Sequence, residues 1–240
     1  MPIMGLLSDE SPSRADPYAD PTSLEFRFRA RRFEAVGGLI EAILTEKGWC
    51  EVLDLGGTET YWKVGAEFLE RHRAKIRITI LNTEEQRIRD RRLFGFARES
   101  ATATNLLGAR RFDLVHSNSV IEHVGSLADM ARFAENTRRL APRYYVQTPN
   151  YWFAYEPHFR APFFQYLPEA MRAALIMRYA LGFFPRIDDR AEAESIIYHH
   201  RLLSTRQMRV LFPDAALRHE KFLGLNKSIV AIRSTPAATG

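Results

Sequence analysis

The chain has 240 residues, of which 46% are hydrophobic, 26% charged and 12% aromatic, enough to bury a full core in one domain or in one domain with a large insertion. Its single cysteine, Cys50, excludes an internal disulfide framework and suits a reducing compartment, so a cytoplasmic location is expected. The net charge of +5 is carried mostly by arginine; no apolar run reaches the length of a membrane span, and Met1–Leu7 lacks the basic and apolar regions of a secretory signal.

Residues 1–22 are rich in Ser, Pro, Asp and Ala with almost no apolar periodicity, and they read as a flexible leader to a single domain over 23–240. From Leu24 to Lys47, Phe33, Val36, Ile40 and Ile43 recur at helical spacing, with Gly48 placed to end the helix. Arg27, Arg29, Arg31 and Arg32 on this segment read as a solvated face, with phosphate or anionic-membrane contact as the alternative.

Beyond Gly48 the period alternates. Short apolar runs at Cys50–Leu55, Ile76–Leu81, Phe112–Ser117 and Tyr144–Thr148 predict buried strands. Helices are predicted near Tyr61–His72, Glu85–Leu93 and Leu127–Leu140, the last opened by Ser126 with Asp129 three residues on. At the end of the chain, Ala216–Leu223 and Lys227–Arg233 flank Gly224 and Asn226 and predict an antiparallel hairpin. Between lie residues 150–202, rich in Tyr, Phe, Trp, Pro and His, too long for a plain connection and expected to be an inserted helical cap over a binding site. The expected fold is therefore α/β, with a mostly parallel sheet covered by helices on both faces.

In such a sheet ligands bind beyond the carboxyl ends of the strands, near the point where strand order reverses. The run Glu51-Val-Leu-Asp-Leu-Gly-Gly-Thr58 turns a buried strand on paired glycines into a helical segment, bringing backbone N–H groups to a ligand. Asn82 follows the second strand, and Ser117-Asn118-Ser119 then Glu122-His123 follow the run at Phe112. His116, inside an apolar strand, reads as a satisfied core histidine.

Val52-Leu-Asp-Leu-Gly-Gly-Thr58 together with Phe112-Asp-Leu-Val-His-Ser-Asn-Ser-Val-Ile-Glu-His-Val124 resembles two signature motifs of the class I S-adenosylmethionine-dependent methyltransferases, in the family's order, over about residues 30–150. The resemblance implies a Rossmann-like seven-stranded sheet whose last strand is antiparallel. It implies S-adenosyl-L-methionine as cofactor, with Asp54, Gly56 and Gly57 at its amino-acid end and Ser117, Asn118 and Ser119 near its sulfonium. Asn82 stands where the family carries an acid for the ribose hydroxyls, and an amide can still bond a diol without charge. The family's third-strand acid has no counterpart, so Thr102, or Asn105, is assigned to the adenine.

The insert opens with Pro149-Asn-Tyr-Trp-Phe-Ala-Tyr-Glu-Pro-His-Phe159, in which Glu156 and His158 flank a stiffening proline. Glu156, His158 and His123 are the candidate catalytic groups, able to take or orient a proton on an acceptor hydroxyl. Displacement at a sulfonium itself needs little beyond alignment. No spacing reads as a metal site; His199-His200 is an adjacent pair whose side chains diverge. Phe163–Phe184 is too charged to span a membrane and reads as a cap helix, with peripheral membrane contact as the lesser alternative. These residues point to methyl transfer to a small molecule or glycan, at oxygen. The alternatives are a nucleic-acid methyltransferase or binder, for which no dedicated binding module is visible, and a methyltransferase-like scaffold that has lost activity. Gly56-Gly57-Thr58 lacks the spacing of a dinucleotide fingerprint.

Overall fold

The computed structural model describes Tyr18, Asp20 and residues 22–235; the expected leader over 1–22 lies almost wholly outside the described residues. Helix α1 (Leu24–Lys47) starts where the Ser23 hydroxyl accepts the Phe26 N–H at 3.0 Å. It stops where Gly48, at φ 80°, donates its N–H to Leu44 O. Val36, Ile40 and Ile43 are fully buried along one stripe of it.

Strand β1 (Cys50–Leu55) leads through the glycine turn into a 3-10 helix at Glu59–Gly65 and the short α2 (Ala66–Arg71). The expected helix over Tyr61–His72 is thus two pieces. Its first half is tight because Tyr61 and Trp62 are both drawn inside. β2 (Ile76–Asn82) is followed by irregular backbone where a helix over Glu85–Leu93 was predicted, and then by β3 (Phe94–Arg98), which the sequence pattern does not announce. β4 (Leu114–Asn118), α3 (Leu127–Leu140) and β5 (Arg143–Pro149) stand within two residues of expectation, and Ser126 and Asp129 cap α3 with reciprocal bonds. The aromatic insert holds a two-residue ladder, β6 (Tyr155–Glu156) with β7 (Ala161–Pro162), then α4 (Glu169–Arg178) and α5 (Arg190–Tyr198). α6 (Thr205–Leu211) and the hairpin β8 (Ala216–Phe222)–β9 (Leu225–Arg233) complete the chain.

Seven strands form one sheet in the order β3-β2-β1-β4-β5-β9-β8. β1 lies parallel to β2 and β4, β2 parallel to β3, and β8 antiparallel to β9. The order reverses between β1 and β4, the feature that defines a topological switch point. No helix among the described residues is long and apolar enough to cross a membrane.

The chain falls into two compact units. One comprises the described residues up to Asn118, with Asn136–Tyr145 and those from Arg233 on; the other is Ser119–Glu135 with Val146–Ile232. In the first, β1 and β2 are buried on both faces, as parallel strands under helices must be. The buried Arg143 guanidinium is held by Glu46 at 2.7 Å and by Ser234 O at 2.8 Å. In the second unit the insert has its own core, where Phe159 stacks on Phe164 and Phe184 with ring centroids 4.4 and 5.0 Å apart. α4 and α5 bury Ile176, Ile196 and Ile197 in the same cluster, each contributing about 1.5–3 kcal/mol by removal from water. Residues 150–202 therefore fold as a packed element. Their start is fixed by Asn150, whose side chain donates to Asn226 O at 2.8 Å and whose N–H donates to Lys227 O at 3.0 Å.

Candidate functional site

In the first unit the glycine turn hangs from β1 and β2. Gly56, at φ 72°, donates its N–H to Leu81 O at 2.7 Å. A Cβ on Gly57 would fall 1.7 Å from Asp54 Oδ2, so only glycine lets the turn fold back over that carboxylate. The N–H groups of Gly57 and Thr58 have no partner among the described residues.

Asp54 is fully buried and fully engaged. It accepts from Trp62 Nε1 at 2.8 Å and from His116 Nδ1 at 2.7 Å, His116 being its cross-strand partner on β4. With Nδ1–H given to the carboxylate, His116 Nε2 is free to accept from the Tyr61 hydroxyl at 3.2 Å. Burial pushes the Tyr61 phenol well above its usual range, with nearby Tyr145 adding to the rise, so the phenol stays a donor. His116 is thus the core histidine its setting suggested. Asp54 holds the turn from beneath through Trp62 and His116.

The remaining sequence-derived candidates in this unit cluster around the same strand ends. Asn82, buried, donates to Gly57 O at 3.2 Å and accepts the Glu84 N–H at 3.1 Å, so its amide braces the turn. Ser117, buried, donates to Leu55 O at 3.1 Å. Asn118 accepts from Arg32 at 3.0 Å, which takes Arg32 out of the solvated arginine face. Thr102, half-buried in the turn after β3, shares a hydroxyl hydrogen bond of 2.8 Å with Ser100. One further carboxylate stands here. Glu99 is the first residue past β3, its N–H donates to Asn82 O at 3.2 Å, and it is half-buried. A strand at Phe94–Arg98 would have revealed it; without that strand there was no signal. Ser119, at φ 54°, belongs to the second unit, where it donates N–H and hydroxyl to Gln147 at 3.0 and 2.9 Å.

The second unit gathers Glu156, His158 and His123 with two residues the sequence did not join to them as a group, Glu122 and His200. Glu156, buried, accepts the Phe159 N–H at 2.6 Å and His158 Nδ1 at 2.7 Å. The loop carrying His158 is clamped by Gly182, where a Cβ would stand 2.0 Å from His158 O and φ is 62°. His123 Nδ1 lies 2.9 Å from His199 O, and His200 Nδ1 lies 2.7 Å from Ile196 O. A carbonyl can only accept, so both rings carry their proton on Nδ1 and leave Nε2 as a bare lone pair. The three ring centroids lie 4.6–5.0 Å apart. Glu122 is fully buried; one oxygen accepts from Thr148 at 3.0 Å, while Oε1 has no partner. Burial pushes the Glu122 carboxyl up to about 7, against the opposing charge of His158. Burial, with His158 beside it, lowers His200 to about 4 and His123 well below the ordinary imidazole range. For His158 burial is outweighed by the hydrogen bond and charge of Glu156, which raise it.

No family model and no curated protein matches the chain. Among solved structures it is similar to an O-methyltransferase family protein from Burkholderia thailandensis, at 12% identity and a TM-score of 0.48 over 89% of this chain, of whose length it spans 59%. It is similar to the N-methyltransferase NodS from Bradyrhizobium japonicum WM9, at 12% identity and a TM-score of 0.46 over 90% of this chain and 99% of that one. It is also similar to the plantazolicin methyltransferase BpumL, solved in complex with a monoazolic desmethylPZN analog and SAH, at 9% identity and a TM-score of 0.49 over 85% of this chain and 83% of that one. Likeness this distant concerns the course of the backbone, and the chemistry has to be read from this chain's own residues.

Proposed function

We propose that the chain is an S-adenosyl-L-methionine-dependent methyltransferase acting at an oxygen of a small molecule or glycan. One observation carries this reading. At the strand-order reversal, the glycine turn after β1, with two unpartnered N–H groups, is registered beside the polar end of β4, and Asn82 and Glu99 stand at the adjoining strand ends. A cofactor with an anionic amino-acid end, a ribose diol and an adenine fits this set of donors and acceptors. The N–H groups of Gly57 and Thr58 would hold the carboxylate. Glu99 supplies the charged acceptor for hydroxyls that Asn82, half committed to the turn, supplies only in part. Ser117 and Asn118 are assigned to the wall of the cofactor site, with Thr102 nearest the base. When bound, the cofactor supplies a methyl group on a positively charged sulfur, a leaving group that needs no acid.

The acceptor class is read from the insert. Trp152 is 68% exposed, and its ring neighbours Tyr151 and Tyr166, at 4.9 and 6.0 Å, make a surface on which a sugar or aromatic ring can stack. An oxygen acceptor has a proton to lose. Glu156 fixes the tautomer of His158, and His199 O that of His123, so both present Nε2 to receive it.

Calorimetry of S-adenosylmethionine and of its demethylated product against the full chain tests the reading. Binding in the micromolar range or tighter is expected, and no detectable heat from either would overturn it. Glu99→Gln should weaken that binding more than Asn82→Ala does. Glu156→Ala and His158→Ala should lower turnover while cofactor affinity stays nearly intact.

A further inference from the structure

We propose that Glu122, His123 and His158 bind a divalent transition-metal ion, for which zinc suits the donor set best, with His200 packed against both rings. The inference concerns binding and holds whether or not the chain transfers methyl groups. One ligand atom from each of the three residues lies within 4.8 Å of the others, close enough to close on one ion.

Three independent features point the same way. First, Glu122 Oε1 is buried and unpartnered on a side chain that is 0% exposed. A carboxylate oxygen left without a donor costs more than almost any other buried polar atom, and a cation is what it lacks. Second, every imidazole in the cluster is oriented through Nδ1 by an oxygen that can only accept: His199 O for His123, Glu156 for His158 and Ile196 O for His200. Metal-bound histidines are oriented in this way, with the outer nitrogen tied to a carboxylate or carbonyl and the inner one left to the ion. Third, the three Nε2 atoms have no hydrogen-bond partner among the described residues, though the rings are packed edge to face. Lone pairs gathered without a shared proton donor repel, and a cation turns that repulsion into ligation. Two neutral imidazoles and a carboxylate make the borderline donor set that zinc takes with one position left open. With the ion bound, His123 and His158 no longer receive the acceptor's proton; if the chain acts on a hydroxyl, the open position would instead polarise that oxygen so that its proton leaves to solvent.

The full chain, produced without a polyhistidine tag and stripped with dipicolinate, is titrated with Zn2+ and separately with Co2+. The expected result is one equivalent per chain by elemental analysis, with visible cobalt bands that zinc displaces. Glu122→Gln and His158→Gln should lose the bound ion. Glu156→Gln, which alters the carboxylate that orients His158 and also accepts the Phe159 N–H but holds no ion itself, should weaken binding about 10–100-fold. His219→Gln, at the exposed histidine of β8, should keep full stoichiometry. Circular dichroism reports whether each variant folds, and the unaltered chain needs no variant: absence of a stoichiometric ion and of cobalt bands overturns the proposal. Undiminished metal in both Glu122→Gln and His158→Gln overturns it equally, by placing the ion elsewhere. Cofactor calorimetry on the stripped chain keeps the two readings apart, since heat from the cofactor without any metal uptake sinks this inference alone.

Discussion

Asp54 with His116 in the first unit, buried, and Glu122 with His123, His158 and His200 in the second, where the first two histidines are half-buried, are both carboxylate–imidazole assemblies, yet they differ in how completely their polar atoms are paired. Asp54 has Trp62 and His116 as donors, and His116 uses both nitrogens, one to Asp54 and one to Tyr61. In the other assembly a buried oxygen of Glu122 is unanswered, and three ring nitrogens, not sealed from solvent, bond no described residue. Pairing of the first kind has closed on itself and serves the fold, because buried polar groups stabilise only when satisfied. An open assembly is held together by its surroundings and is shaped for something that arrives later. Histidines beside carboxylates are therefore not equivalent signs of function; the count of unmet atoms separates them.

The largest test of that contrast is Asp54→Ala. It would strand the indole N–H of Trp62 and the Nδ1–H of His116 in a fully buried site. Breaking a buried pair by removing one partner costs about 3–5 kcal/mol. Denaturant unfolding should show a loss of that size with little change in slope. A loss below about 1 kcal/mol would mean the network is ornamental, and the contrast would fail at its first term.

How much of this was legible in the sequence depends on how local the cause is. The stripe Val36, Ile40, Ile43 and the end at Gly48 were legible because one helix face and one left-handed residue decide them. β1, β2, β4 and β5 were legible because parallel strands buried on both faces read as apolar runs. β3 was not: only Phe94 of its five residues is buried, and Gly95 interrupts the pattern. The helix expected at Glu85–Leu93 fails for a tertiary reason. The Glu59 carboxylate takes the N–H groups of Arg89 and Asp90, and Asp90 takes those of Arg92 and Leu93, so the backbone is satisfied from outside a helix. Glu99 was lost with β3. In the second unit His123, His158 and Glu156 were visible as residue types after strand ends, whereas their meeting with Glu122 and His200 is made by the folded insert and has no short spacing to betray it.

Gly57→Ala probes how the closed network reaches the glycine turn. The new methyl carbon would meet the Asp54 carboxylate, so either the turn or Asp54 must move. A loss of about 1–3 kcal/mol is expected, as for overpacking in a filled core, together with loss of the calorimetric signal for S-adenosylmethionine. Retention of both stability and signal would show that the turn does not lean on Asp54.

Tyr61→Phe is a finer cut, removing one hydroxyl and leaving His116 Nε2 without its donor while the ring stays packed against Trp62. A cost of about 1 kcal/mol is expected. A neutral result would show that His116 is oriented by Asp54 alone.

The smallest effect should come from the open assembly itself. In metal-free protein Glu122→Gln keeps an oxygen for the Thr148 hydroxyl and puts an amide N–H2 where the unpartnered Oε1 stood. Imidazole lone pairs are then offered donors, and a buried carboxylate is replaced by a neutral group of the same shape. Stability should change by less than about 1 kcal/mol, in the stabilising direction. A loss comparable to that of Asp54→Ala would show that Glu122 is as structurally engaged as Asp54 and erase the contrast. Zinc should then reverse the order of the two proteins. The parent gains about 2.7 kcal/mol at a hundredfold excess over its dissociation constant, and the variant gains nothing. Thermal unfolding of both, with and without the ion, reads the reversal directly: a residue retained for the fold is missed at once, while one retained for a ligand is missed only when the ligand is present.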